Sequence, residues 1–328
     1  MKKLSFLLFI FLIAPIFASA QFEGFIQSKI GSAVTSDKDI KQLLQAVKSN
    51  NLQEVKAIVE DVTFPSMLVN AADSNGNTPL MEAAKTGNTA IIKYLNNKKA
   101  KVNTLNNKGN SALGYAIANK RQKAAELLMR LNAKTDVNFK EDNSVKQKIL
   151  VLAVKKKMFT IADKILANTD KKELLTTYST IENPLLLTAI ASGDVWFTSK
   201  LLDAGMDINN FYGAPYYATP FLYAAYLNNN KDMLEMMIRR PELTPETVKQ
   251  FIFEAINSCA KPDLNTVQFV LKHFFIEHHI AEFNKVIYNL NNTPHNVTPA
   301  DYAQNQVKNG HIQCKPLSDY LAYISNSK

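Results

Sequence analysis

The chain repeats itself. Displaced by 33 residues, Gly76 falls on Gly109, Leu80 on Leu113 and Ala83 on Ala116. The same offset lays Val69-Asn70 on Val102-Asn103 and Ala100-Lys101 on Ala133-Lys134. A fixed period of this length means stacked supersecondary units, each too small to bury its apolar face alone. A chain of this kind builds its core between neighbours.

Residue types within one period predict the form of the unit. In "DSNGNTPLMEAAKTGN" (Asp73 to Asn88) Gly76 tolerates the positive φ of a tight turn. Thr78 is a predicted N-cap, and Pro79 suits the first helical position, where its missing N–H costs nothing. Leu80, Ala83 and Ala84 share one helix face, with small alanines that let a neighbouring helix approach closely. Gly87-Asn88 ends that helix, and Ile91, Ile92 and Leu95 form the apolar stripe of a second, antiparallel one. The stretch is a turn, a cap and a packing face, and nothing in it is catalytic.

These residues resemble the ankyrin repeat. Gly76-Asn77-Thr78-Pro79-Leu80 with Ala83-Ala84 matches the start of that family's pattern, and Gly205-Met206-Asp207-Ile208-Asn209 matches its end. Pro184 to Asn209 is close to the pattern, and Thr219 to Ile238 follows it with a longer inter-helix turn. Leu43 to Val59 and Ile149 to Leu166 keep the helices but lose the Gly signals. The resemblance implies an all-α solenoid of about eight helix-turn-helix units with short hairpin-like turns. Its concave face would be built from turn tips and first helices. The family's Thr-Pro-Leu-His histidine is replaced by Met81, Gly114, Leu187 and Leu222, which implies that its hydrogen bonds between neighbouring turns are absent. The organisation read from the sequence is a leader over 1–20, a linker or cap over 21–38 and repeats over 39–274. An insertion over 275–294 and a divergent terminal repeat or cap over 295–328 complete it.

Lys2-Lys3, an apolar run from Leu4 to Phe17 and Ala18-Ser19-Ala20 have the form of a secretory signal peptide cleaved before Gln21. The run is short for a membrane span and broken by Pro15, and no later stretch approaches that length. The expectation is an exported chain, periplasmic or secreted, with no stable span after cleavage, and monomeric.

The formal charge is +9, and loss of Lys2 and Lys3 leaves +7. Yet only four arginines occur (Arg121, Arg130, Arg239 and Arg240), and Arg is the residue that recognises phosphate and guanine bidentately. Runs such as Lys155-Lys156-Lys157 read as a solvated face, so nucleic acid is not the expected partner.

Cys259 and Cys314 are the only cysteines. In an oxidising compartment they can pair; otherwise they are two separate, partly buried thiols. His273, His278 and His279 cluster, but their spacings of 5 and 6 do not suit helix ligands at i, i+3 or i, i+4. No nucleophile elbow, zinc-helix, Walker or dinucleotide string is present, and neither cofactor nor catalytic residue is expected.

The aromatic stretch Asn209 to Tyr226 stands out. Phe211, Tyr212, Tyr216 and Tyr217 lie in a lengthened inter-repeat turn, and Tyr223 belongs to the following helix. In the resembled family, turn tips and exposed first-helix positions contact partners. That assigns Phe211, Tyr212, Tyr216, Tyr217, Tyr223, Asn75, Asn77 and Glu82 to a partner-binding surface. Tyr there supplies rigid contact area with a polar end. The alternative is that the rings fold over the turn and fill space between units. Trp196, on the first turn of a second helix, either packs on a neighbouring loop or meets a partner.

The function expected from these residues is a non-catalytic protein-protein interaction module that binds a protein partner on its concave face. The alternatives are a secreted effector directed at a host or competitor, a structural spacer, and a Cys/His enzyme.

Overall fold

The computed structural model describes residues 36–141, 146–179, 184–210, 230–258, 264–277, 287–290, 293–296 and 298–326. The chain divides into two compact units, residues 1–161 and 162–328.

In the first unit three helix pairs follow one another. They are α1 (Asp37–Lys48) with α2 (Leu52–Glu60), α4 (Pro79–Thr86) with α5 (Thr89–Asn97), and α6 (Ala112–Ala118) with α7 (Gln122–Arg130). A single turn, α3 (Pro65–Leu68), follows α2. A short hairpin, β1 (Asn138–Phe139) against β2 (Gln147–Lys148), leads into α8 (Ile149–Lys155). The helix α9 (Phe159–Leu166) spans the boundary between the units. The first helices α1, α4, α6 and α8 pack in that order as an inner layer, and α2, α5 and α7 form an outer one.

The helix starts follow the sequence signals. Thr78 Oγ1 accepts from Met81 N at 3.3 Å ahead of Pro79, and Ser111 Oγ accepts from Gly114 N at 3.1 Å. Asn88 Oδ1 accepts from both Ala90 N and Ile91 N at 3.0 Å. Such caps satisfy donors that a helix cannot pair internally. The predicted packing face is fully buried: Ala83, Ala84, Ala116, Ile91, Ile92 and Leu95 have no exposure.

The inner helices end alike. Just past each end, one residue adopts the left-handed conformation: Asn50 (φ 59), Gly87 (φ 86), Lys120 (φ 56) and Lys157 (φ 59). Next to it, Asn51, Asn88, Arg121 and Met158 each donate a backbone N–H to a buried alanine carbonyl, those of Ala46, Ala83, Ala116 and Ala153, at 2.8–3.1 Å. The units without Gly signals thus keep the same cap on an L-residue at a steric cost. Lys120→Gly and Lys157→Gly are therefore expected to stabilise the protein, each by about 0.5–1 kcal/mol. A rise in the urea midpoint at unchanged slope would register this.

The units are joined by asparagine. Asn70 Nδ2 donates to Lys99 O at 2.9 Å and its Oδ1 accepts from Lys101 N at 2.7 Å. Asn103 repeats both bonds with Asn132 O (3.0 Å) and Lys134 N (2.8 Å). Asn209 does so with Glu242 O (2.6 Å) and Thr244 N (3.0 Å). Each amide spends its donor and its acceptor on the next turn. In the outer layer Tyr94 Oη donates to Glu60 Oε1 at 3.2 Å. Burial, reinforced by that bond and by the carboxylate charge, pushes the Tyr94 phenol up to about 12.

The second unit holds α10 (Lys171–Thr177), α11 (Leu185–Ser192), α12 (Val195–Asp203), α13 (Lys231–Ile238), α14 (Pro245–Ser258) and α15 (Leu264–Glu277). A second hairpin follows, β3 (Ile287–Leu290) with β4 (Thr293–Asn296). It lies within and just after the 275–294 stretch that fits no repeat. Then come α16 (Pro299–Lys308), a 3-10 turn (Ile312–Cys314) and α17 (Lys315–Asn326). Thr298 caps α16 through Asp301 N at 3.1 Å, ahead of Pro299 at the first helical position. The helix α16 packs on α14 and on α17.

Candidate functional site

Two successive turn tips in the first unit are built on one plan. Asp73 Oδ1 accepts from Asn75 N (2.9 Å) and Asn77 N (2.8 Å). One period on, Asn106 Oδ1 accepts from Lys108 N (3.0 Å) and Asn110 N (2.9 Å). Gly76 holds its tip at φ 76, and a Cβ added there would meet Asn107 Oδ1 at 2.6 Å and Asn107 N at 2.9 Å. Only glycine lets the two tips lie this close. Asn107 N then donates to Asn75 O at 3.1 Å, and Asn107 Nδ2 to Ser74 O at 3.0 Å.

Behind the tips lies a polar network. Asn106 Nδ2 donates to Asn77 Oδ1 at 2.8 Å and to Tyr115 Oη at 2.9 Å, and Tyr115 Oη donates to Asn77 Oδ1 at 3.2 Å. Asn110, 1% exposed, donates to Lys140 O at 2.8 Å and accepts from Lys140 N at 2.7 Å. The Tyr115 ring meets Phe139 edge-on, with centroids 5.3 Å apart and planes at 87°. Gly114 makes this possible, since a Cβ there would meet Phe139 Cδ2 at 2.4 Å. Met81 and Gly114 stand where the resembled pattern has histidine, and the turns of the first unit are not left unlinked. Asparagine amides make the joints.

The network floors a groove of about 410 Å³ between turn tips and inner helices, with Asn75, Lys85, Lys108, Asn119 and Lys140 around it. The Lys85 and Lys140 ammonium groups are exposed and make no ion pair or side-chain hydrogen bond among the described residues. Glu141, also at the rim, pairs with Lys156 at 2.7 Å. The rim is therefore positively charged.

Among the residues assigned to a partner from sequence, Asn75 is exposed at this rim and Asn77 is a half-buried member of the network. Glu82 is 7% exposed, and its carboxylate makes no hydrogen bond or ion pair among the described residues, so it offers a partner little area. Phe211, Tyr212, Tyr216, Tyr217 and Tyr223 lie outside the described residues, as do Cys259, His278 and His279. Cys314 is fully buried and disulfide-bonded, and Cys259 is the one other cysteine of the chain. Trp196 is 58% exposed, with Lys200 Nζ 5.1 Å from its ring centroid; Lys200 also pairs with Asp163. Asn106, Asn110, Tyr115, Lys85 and Lys140 are not among the residues singled out from sequence. The 33-residue offset that pairs Asp73 with Asn106 and Asn77 with Asn110 was the available signal. Among the described residues no three His, Cys, Asp or Glu side chains converge, and no helix is long and apolar enough to cross a membrane.

The repeated turn, the capped inner helix and the outer helix have a counterpart among known families: the model of ankyrin repeats, three copies, matches residues 43–141. This stretch is a run of ankyrin repeats. The ankyrin repeat is a protein–protein interaction module, and the groove lies between turns and inner helices of that run. Solved structures resemble the chain as well. A chain in the complex of the Bd0816 predatory endopeptidase from Bdellovibrio bacteriovorus with immunity protein Bd3460 is 25% identical, with a TM-score of 0.49. That match covers 61% of this chain and 98% of that one. The human ASB11 ankyrin repeat domain is 21% identical, also with a TM-score of 0.49, over 70% of this chain and 96% of that one.

Proposed function

We propose that this ankyrin-repeat protein is exported and binds a protein partner on the face formed by its turn tips and inner helices, without catalysis. The groove carries the reading. Hydrogen-bonded tips over a Tyr115–Asn106–Asn77 network present exposed polar and charged groups on a pre-ordered frame. Little ordering entropy is then lost when a partner docks. Export is supported by the leader-like residues 1–20 and by the disulfide-bonded Cys314, a state typical of oxidising compartments. The Tyr-rich stretch with Tyr216 and Tyr217 is a second candidate for partner contact, on its sequence alone.

A crosslinked pull-down with the chain from Gln21 onward tests this, using periplasmic and extracellular extracts. It runs beside Lys85→Glu/Lys140→Glu and Tyr216→Ser/Tyr217→Ser variants whose circular dichroism is unchanged. A protein captured by the parent chain and lost with Lys85→Glu/Lys140→Glu is the expected result, and its loss with Tyr216→Ser/Tyr217→Ser as well would add that stretch to the surface. Equal capture by all three chains, or none by any, would overturn the reading.

A further inference from the structure

We propose that the groove of residues 73–141 takes an acidic, extended segment of its protein partner; this rests on the protein-binding reading above. Three observations converge. Lys85 and Lys140 flank one groove, both exposed and both lacking an anion among the described residues, while the carboxylate at the rim, Glu141, is already engaged by Lys156. Among the described residues these two positive charges are therefore uncompensated. Complementary charge on a partner steers encounter and fixes register.

The second observation concerns the polar groups between those lysines. The side chain of Asn75 is exposed and forms no hydrogen bond among the described residues, and Asn119 uses only its Nδ2, on Tyr115 O at 2.9 Å. A free amide and a free amide oxygen suit the alternating N–H and C=O groups of an extended peptide, which need both a donor and an acceptor. The third is what the groove lacks. No arginine lines it, so the planar bidentate contacts that favour phosphate are missing, and ammonium groups act on carboxylates as point charges. The aromatic groups there, Tyr115 and Phe139, are spent on each other and on the network, which leaves no open ring for stacking a base.

The probe is a fluorescein-labelled, Gly/Ser-flanked peptide of five alternating Asp and Glu, with its Asn/Gln counterpart as reference. Anisotropy is read at low and physiological salt against the chain from Gln21 onward. The acidic peptide is expected to bind at least tenfold more tightly than the amide one, and the preference is expected to shrink as salt rises. Lys85→Glu/Lys140→Glu should abolish the preference, whereas Lys172→Glu/Lys231→Glu, the same charge change on exposed lysines outside the groove, should leave it within twofold. Equal loss in both variants, or equal binding of the two peptides, would overturn the proposal and reduce the effect to net charge. Tighter binding of a single-stranded oligonucleotide at the same lysines would also overturn it, in favour of nucleic acid. The pull-down separates the two readings. If Lys85→Glu/Lys140→Glu loses the partner but the acidic peptide does not compete for it, the groove still binds protein and only its acidic preference falls. If that variant keeps the partner, both readings of the groove fall.

Discussion

Asn106→Ala is expected to destabilise the first unit by about 3 kcal/mol. Asn106 is 7% exposed and completes four hydrogen bonds, accepting from Lys108 N and Asn110 N and donating to Asn77 Oδ1 and Tyr115 Oη. Alanine leaves two backbone N–H groups without their acceptor and takes a donor from Tyr115 Oη and from Asn77 Oδ1, the latter keeping only Tyr115. A buried group left unsatisfied costs about 1–3 kcal/mol, and such costs within one network do not add in full. Asn106→Asp separates the two halves of the role. A carboxylate would still accept from Lys108 N and Asn110 N, as Asp73 does for its own tip one turn earlier. There, however, Asp73 Oδ2 is met by Asn77 Nδ2 at 3.2 Å. One period on, the equivalent amide, that of Asn110, is committed to Lys140 O, so the introduced carboxylate would face Asn77 Oδ1, and the single Tyr115 hydroxyl proton could serve one of the two oxygens but not both. Asn106→Asp should therefore cost part of the alanine effect and grow worse above the carboxylate pKa. Urea unfolding followed by circular dichroism gives the totals, and hydrogen exchange at Lys108–Asn110 places them. A cost below about 0.5 kcal/mol for Asn106→Ala would mean the tip is held by its backbone alone.

Reduction of the disulfide at Cys314, or Cys314→Ser, is expected to cost the second unit about 4 kcal/mol. With Cys259 as the only available partner, the bond closes a loop of about 55 residues. The chain-entropy account of such a loop gives about 4 kcal/mol. The loss should fall on the terminal elements, since Cys314 is fully buried between the 3-10 turn and α17, with its Sγ 3.9 Å from Ile256 O of α14. Iodoacetamide labelling followed by mass measurement is the first check: no adduct before reduction, two after it. Melting with and without reductant gives the magnitude. Labelling of the unreduced chain would remove the premise, and an unchanged melt would show that α16 and α17 dock by packing alone.

Much of the fold is legible because it depends on residue types with one dominant physical role. Thr78-Pro79 reads as a helix start and is one. Ala83, Ala84 and Ala116 read as a close-packing face and are fully buried. What escapes sequence reading depends on residues with several roles open to them. An asparagine in a turn reads as a turn former, and only the stacked geometry shows that Asn70 and Asn103 bond to the next turn and that Asn106 bonds to a tyrosine. Lys120 and Lys157 hide the same left-handed cap that Gly87 displays, because glycine is the residue that signals it. Gly114 looks like a lost histidine, whereas its missing Cβ is the space taken by Phe139. Glu82 sits where an exposed first-helix residue is expected but is nine-tenths covered, since burial belongs to the assembly and not to the position. The lysines at the groove were visible as residues, but charge without geometry does not distinguish a solvated face from an unneutralised rim.

The asparagine joints have a bearing on how such a chain could change over generations. Asn70 and Asn103 reach across to backbone atoms of the next turn, N–H and C=O groups that nearly every residue supplies. Asn209 grips the same two groups and adds the hydroxyls of Thr244 and Thr247. The basic joint is indifferent to the identity of the residue that it grips. A duplicated or deleted stretch of 33 residues would find its neighbour's backbone already in place, and the side chains around the groove could drift without loosening the seam. Length and binding specificity are thereby free to be selected separately.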